Sequence, residues 1–259
     1  FQLYFDFSGY TDMAIGLALL FNIKLPINFN SPYKAINIQD FWQRWHITLS
    51  LFLKNYIYIP LGGNRKCPLS TYNNLMITFL IGGLWHGASW TFVFWGFLHG
   101  LALIVHKLWS TIGFKLNVIV AWFLTFNFVN IAWIFFRAKE WQDAVKVLTG
   151  MTGMNGVLFS NKFVHSYHKV TDQLFFSTPI IKGVDRDLIS LGYNTYIFIL
   201  IALYIVIKLQ NTQQIMSFPS LRQAKILNTK NAIIYSFVFV IGLLFMSLST
   251  YSEFIYFYF

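Results

Sequence analysis

Uncharged runs divide this chain. Residues 116–136 lie between Lys115 and Arg137, 188–207 between Asp187 and Lys208, and 231–252 between Lys230 and Glu253, with no charged side chain inside any of them. A helix needs about 20 mainly apolar residues to cross the hydrocarbon core of a bilayer, so each run predicts one span. The longest run, 67–106, is 40 residues and is interrupted by Gly82-Gly83 and by Gly87. That predicts more than one straight rod. Glycine at membrane depth permits either a break or a close helix contact. Residues 1–23 are also apolar, but Asp6 and Asp12 lie within them.

Residues 37–60 have another character. Asn37 can cap a helix, with Asp40 answering it in capping-box fashion. Ile38, Phe41, Trp42, Trp45, Leu49 and Phe52 then recur at helical spacing on one face. Asp40 and Arg44, four apart, can pair on the opposite face. An amphipathic, Trp-rich segment of this kind suits a helix lying in the interface or re-entering a bundle. Tyr56-Ile57-Tyr58-Ile59-Pro60, followed by Gly62-Gly63, reads as an extended turn that ends it.

Composition narrows the class. Charged residues are 11% of the chain, against roughly 25% in soluble domains, and hydrophobic residues are 56% with a mean hydropathy of +0.55. So few polar groups cannot cover a water-soluble surface. A soluble domain, a disordered region and a disulfide-knit secreted module are excluded. The aromatic share of 20% supplies a core and interfacial belts. The balance of 19 Lys and Arg against 9 Asp and Glu gives +10. In an apolar chain that charge gathers in loops and sets orientation, and it is not a nucleic-acid footprint. The single Cys67 forms no internal disulfide and no cysteine-based zinc site.

The connectors carry the orientation signal. Residues 139–187 hold six basic and five acidic side chains, and 208–230 hold Lys208, Arg222, Lys225 and Lys230 with no acid. The positive-inside rule makes the second connector cytoplasmic and puts 139–187 and the C-terminal end outside. Phe1 opens inside an apolar run, without an initiator Met or a preceding basic region. The expectation is a piece whose N-terminal helices are absent.

Six histidines are the main candidates for chemistry. His165 and His168 sit three apart in a polar stretch, but no framework of carboxylates or cysteines accompanies them as a metal site requires. His99 and His106 are two turns apart, too far for one ion, and His106 beside Lys107 reads as an interfacial helix end. His86 stands in Gly82-Gly83-Leu84-Trp85-His86-Gly87, near the middle of the longest uncharged run. A histidine at that depth normally faces the bundle interior or a cavity, and a neutral imidazole there can accept a proton. Trp85 and Trp90 can wall a pocket around it. The other reading is a core histidine bonded to a carbonyl, and both stay open. His46 lies on the border between the two faces of the amphipathic helix, so it is either an inward-pointing ring or an interfacial one. Asp6 and Asp12, as carboxylates in apolar surroundings, must be paired or hydrogen-bonded. Arg44, Arg65 or backbone amides are the available partners, and bracing is favoured over substrate contact.

These segments together carry a resemblance. Tyr4-Phe5-Asp6-Phe7-Ser8-Gly9-Tyr10-Thr11-Asp12 is followed by Asn28-Phe29-Asn30-Ser31-Pro32-Tyr33. Then come Phe41-Trp42-Gln43-Arg44-Trp45-His46, Tyr58-Ile59-Pro60-Leu61-Gly62-Gly63-Asn64-Arg65 and Gly83-Leu84-Trp85-His86-Gly87. In this order they resemble the membrane-bound O-acyltransferase (MBOAT) family, in particular its bacterial alginate O-acetylase branch. Ala132-Trp133-Ile134-Phe135-Phe136-Arg137 and Phe254-Ile255-Tyr256-Phe257 extend the likeness.

The resemblance implies an all-α, polytopic membrane bundle over 1–259, a single transmembrane domain with re-entrant or interfacial amphipathic helices. It implies acyl transfer from a thioester-type donor such as acetyl-CoA to a hydroxyl, with no bound cofactor and no metal. His86 matches the family's essential histidine and His46 its second. His86 would act as general base, with His46 or backbone amides near the glycines orienting the donor or stabilising the oxyanion. Trp85, Arg44, Asp6, Asp12 and Asn64 are the substrate-contact candidates. The expected setting is the bacterial cytoplasmic membrane, with the lipid bilayer, the acyl donor, an extracytoplasmic glycan and a periplasmic acetyltransferase as partners. Alginate-like exopolysaccharide, peptidoglycan, or a teichoic acid receiving D-alanine all suit the same chemistry. A transporter or glycan-export channel using His46, His86, Asp6 and Asp12 as a path is the competing reading. A third is a scaffold that keeps the fold without the activity.

Overall fold

The computed structural model describes residues 1–154, 157–160, 181–184, 186–216 and 229–248. In chain order the helices are α1 (Gln2–Leu20), α2 (Ile38–Arg44), α3 (Ile47–Leu53), α4 (Pro68–His86), α5 (Trp90–Ile112), α6 (Val118–Arg137), α7 (Trp141–Met151), α8 (Arg186–Lys208), α9 (Thr212–Met216) and α10 (Thr229–Leu248). A 3₁₀ turn at Pro32–Lys34 precedes α2, and a π-helical turn at Lys54–Tyr58 follows α3. Helices dominate, as the pattern requires. The addition is one short parallel pair in the polar connector, β1 (Val157–Ser160) and β2 (Ile181–Val184), with Val157 opposite Ile181. His165, His168 and the 254–257 motif lie outside the described residues.

The chain forms two compact units, Phe1–Ile27 with Gln210–Phe259, and Asn28–Leu209. The first contains α1, α9 and α10. The residues of α10 from Ala232 to Val240 are all exposed and, Ser236 apart, mainly apolar, a surface of the kind lipid tails cover. In α1, Tyr4 and Thr11 are buried, and Asp12 Oδ1 accepts from Gln213 Nε2 at 3.2 Å. A carboxylate in an apolar helix thus finds a donor within its own unit.

The second unit carries most of the motifs. The run 67–106 folds as two helices, and the break falls at Gly87-Ala88-Ser89, where the Ser89 hydroxyl accepts from Thr91 N at 3.3 Å and caps α5. Gly82-Gly83 does not break the chain. It lies inside α4 and serves close contact: a Cβ on Gly83 would stand 2.3 Å from Phe92 O, and one on Gly96 2.2 Å from Phe79 O. The two backbones touch where no side chain intervenes. Both α5 and α6 are long and apolar enough to cross a membrane. One side of α6 packs on α5 through Phe94 and Phe135 at 4.6 Å between ring centroids, while Val118, Ile119, Val120, Phe123 and Leu124 remain exposed. That division is what a lipid-facing span shows. Trp122 Nε1 donates to Tyr33 O at 2.8 Å, so the 3₁₀ turn is pinned to α6.

The 37–60 segment departs from its periodicity. Asn37 caps α2 as expected, with Asp40 N donating to Asn37 Oδ1 at 2.7 Å, and Arg44 Nε meets Asp40 Oδ1 at 2.6 Å. Asp40 reaches back one residue further than a capping box, to Ile36 N at 3.3 Å. One continuous helix does not form: the ladder breaks at Trp45-His46. Ile38, Phe41, Trp42, Trp45 and Leu49 are buried, but Phe52, beyond the break, is exposed. The Tyr56–Pro60 stretch is not extended either. Lys54–Tyr58 is π-helical, and Gly62 and Gly63 take positive φ of 113° and 56° to turn the chain. Each of the two helices has seven residues, about 10 Å at 1.5 Å per residue, too short to span.

Candidate active site

The corner between α2 and α3 is built from Arg44-Trp45-His46-Ile47. Trp45 closes α2 in an extended conformation, and His46 follows at φ 41°, ψ 58°. A left-handed residue other than glycine costs roughly 1–2 kcal/mol, although histidine is among the more tolerant types. The corner is braced from below by Trp45, whose ring meets Phe29 edge-on at 5.0 Å and Trp133 at 4.8 Å. A residue held in such a conformation by its surroundings is the kind found at functional sites.

His86 is the last residue of α4 and is buried. Its ring lies edge-on to Phe136 at 4.9 Å and to Trp95 at 5.1 Å. Gly87 explains how the ring is covered. A Cβ there would stand 2.7 Å from Cε2 of Phe92, so only glycine lets that phenyl close over the helix end. Trp85 joins the two histidines: its indole is 4.9 Å from the His86 ring and 6.1 Å from the His46 ring, and it is 57% exposed. Two buried imidazoles therefore border one open aromatic wall. Burial pushes the His46 ring down to about 4, so it is neutral at physiological pH and able to accept a proton.

The other sequence candidates fall elsewhere. Arg44 stands beside the corner, but its guanidinium is engaged by Asp40 and by Asn30 O, at 3.3 Å from Nη1. It braces the corner. Asn64 is exposed in the turn after the π-helical residues, next to Gly63, whose carbonyl accepts from Asn74 Nδ2 at 2.9 Å. Asp6 and Asp12 belong to the first unit. Trp90 is 81% exposed at the start of α5. Among the described residues, no three His, Cys, Asp or Glu side chains gather as metal ligands.

The sequence weighs His99 only as a metal partner of His106, and its place beside the site is new. His99 is fully buried, with Trp42 Nε1 donating to its Nδ1 at 3.2 Å. An imidazole that accepts at Nδ1 carries its proton on Nε2 and is neutral, so this bond sets the tautomer. Its ring lies 4.8 Å from Trp95, which in turn walls His86. The available signal was Gly96 and Gly100 flanking His99, a spacing that resembles the glycines around His86.

Fold and site together place two buried imidazoles beside the α4–α5 connection in a helical protein, with α5 and α6 long and apolar enough to cross a membrane. Residues 1–139 match the family described as MBOAT, membrane-bound O-acyltransferase family. The chain belongs to that family. A peptidoglycan O-acetyltransferase of Helicobacter pylori is 60% identical over 185 residues, covering 69% of this chain and 35% of that protein. The probable alginate O-acetylase AlgI of Pseudomonas aeruginosa is 47% identical over 151 residues, 58% of this chain and 29% of its own length. A teichoic acid D-alanyltransferase of Streptococcus thermophilus is 34% identical over 116 residues, 42% of this chain and 28% of its own. The chain thus spans about a third of the length of the relatives it matches.

Proposed function

We propose that the protein is an O-acyltransferase of the bacterial cytoplasmic membrane. It moves an acetyl group from a thioester donor such as acetyl-CoA toward hydroxyls of an extracytoplasmic glycan, in concert with a periplasmic acetyltransferase. Peptidoglycan is the leading acceptor, because the relative named for it is 60% identical and the alginate relative 47%. The observation that carries the reading is the nearness of both His86 and His46 to one open indole.

His86 is the general base. As the acceptor oxygen attacks the thioester carbonyl, its proton passes to the imidazole, and a C–O bond forms. Collapse of the tetrahedral state breaks the C–S bond, and the thiolate leaves with the proton His86 holds. The net charge of the site is restored at each turnover. His46 faces the same indole and orients the donor, and a neutral ring there offers one N–H to the developing oxyanion. Trp85 supplies the flat surface along which donor or acceptor lies.

The test is His86→Ala in the protein as the cell makes it. Loss of ester-linked acetate from the surface glycan, read by mass analysis, with unchanged protein in the membrane, is expected. Undiminished acetylation at normal protein levels would sink the assignment.

A further inference from the structure

The break between α2 and α3 has an identifiable cause. In a continuous helix Ile47 N would bond Gln43 O and Thr48 N would bond Arg44 O. Both donors are taken by a residue from outside the helix: Ile47 N donates to Asn28 O at 3.0 Å, and Thr48 N donates to Asn28 Oδ1 at 3.2 Å. The Thr48 hydroxyl adds a second bond to the same Oδ1 at 2.6 Å. On the other side of the cut, Arg44 O accepts from Asn30 N at 2.9 Å, and Trp42 O accepts from the Ser50 hydroxyl at 2.9 Å. Apart from the Thr48 hydroxyl bond, each of these occupies a backbone donor or acceptor that a continuous helix would have used for a rung between the two halves. His46 sits in the gap, held left-handed.

We infer that Asn28 is a positioning residue for His46. Its carbonyl and its side-chain oxygen divide what periodicity would make one helix, and the resulting corner aims the imidazole toward Trp85. Were the ladder restored, His46 would leave the left-handed region and its side chain would rotate to another face of the helix. The amide oxygen is the working atom, since it accepts two bonds from Thr48 while the carbonyl would accept in any residue type. The inference rests on the reading that His46 takes part in acyl transfer.

The experiment compares Asn28→Ala, Asn28→Asp and Thr48→Val in the full-length protein, each with His46 intact and in a His46→Ala background. Membrane abundance is measured alongside kcat and KM for acetyl-CoA. Asn28→Ala is expected to lower kcat roughly ten- to a hundredfold, the usual worth of two lost bonds, with KM within about twofold. Asn28→Asp keeps the acceptor oxygen and restores the rate. In the His46→Ala background Asn28→Ala adds no further loss, which a merely structural residue would not show. A wild-type kcat in Asn28→Ala, an undiminished further loss without His46, or an Asp variant as impaired as the Ala one would each overturn the inference. If Asn28→Ala does not accumulate, Thr48→Val carries the same comparison: it removes only the 2.6 Å bond, and a wild-type rate in it counts against the inference. A His46→Ala enzyme of unchanged activity refutes the role of His46 itself, a result separable from all of these.

Discussion

Replacing Gly96 by alanine tests how tightly the site depends on the α4–α5 hairpin. The added methyl would lie 2.2 Å from Phe79 O, 3.1 Å from Phe79 C and 3.3 Å from the Cα of Gly83. All three are backbone atoms of the facing helix, so no side chain can swing aside. Reaching an ordinary contact of 3.4 Å from Phe79 O requires the helices to part by about 1.2 Å. A radial gap of 0.5–1 Å forfeits roughly a quarter to a half of each dispersion contact it opens. Overpacking typically costs about 1–3 kcal/mol, occasionally more, and helices touching backbone to backbone fall at the upper end. The same displacement carries Trp95 away from His86, now 5.1 Å apart, and an ångström of misplacement can cost on the order of a hundredfold in rate. The assay is thermal unfolding of detergent-solubilised protein together with glycan acetylation. Gly83→Ala should behave alike. Gly82→Ala should be milder, because its Cβ meets only the flexible Leu53 side chain at 3.1 Å, and Gly16→Ala, inside α1 with nothing within 4 Å, should cause no loss and slightly stabilise its helix. A Gly96→Ala protein with wild-type melting temperature and activity would refute the argument.

Two further expectations concern buried rings. His46 is buried with its titration pushed down to about 4 from an ordinary 6.5. The unfolded chain therefore binds the proton that the folded one refuses between those values, so folded stability is lost as pH falls through that window. Melting temperature should drop less between pH 7 and pH 5 in His46→Asn than in the parent protein, and equal drops would count against the burial argument. Trp42→Phe removes the donor to His99 Nδ1 and leaves a buried acceptor bare, at a cost of roughly 1–3 kcal/mol. Chemical denaturation would read this, and a change below about 0.5 kcal/mol would show that the bond contributes little.

Much of the architecture was legible from spacing. The run 116–136 emerges as α6, and Asn37, Asp40 and Arg44 make the local bonds their positions require. Those features depend on neighbours within four residues. The errors share a different origin. Spacing puts Phe52 on the apolar face because the apolar period runs unbroken through His46, yet the period carries no trace of Asn28 intercepting the ladder from 19 and 20 positions upstream. Gly82-Gly83 allowed a break or a close contact, and only the position of Gly96 on the facing helix decides between them. His86, Trp85 and His46 were each visible as residues. Their meeting around one indole depends on where α4 ends relative to the corner, a tertiary fact. His99 reads only as a histidine too far from His106 to share an ion, since nothing in the spacing hints at Trp42, 57 positions away.

The interception by Asn28 has a consequence for how this chain tolerates change in length. Connecting segments ordinarily absorb insertions and deletions, since little depends on their register. Residues 28–30 are a connecting segment by secondary structure, but Asn28 is bonded to Ile47 and Thr48, and Asn30 to Arg44. A single residue added between Asn28 and Asn30 would put those partners out of step. It would leave α2 and α3 free to merge. Its lack of regular secondary structure would mark this stretch as expendable, whereas its hydrogen bonds give it the length constraint of a strand in a sheet.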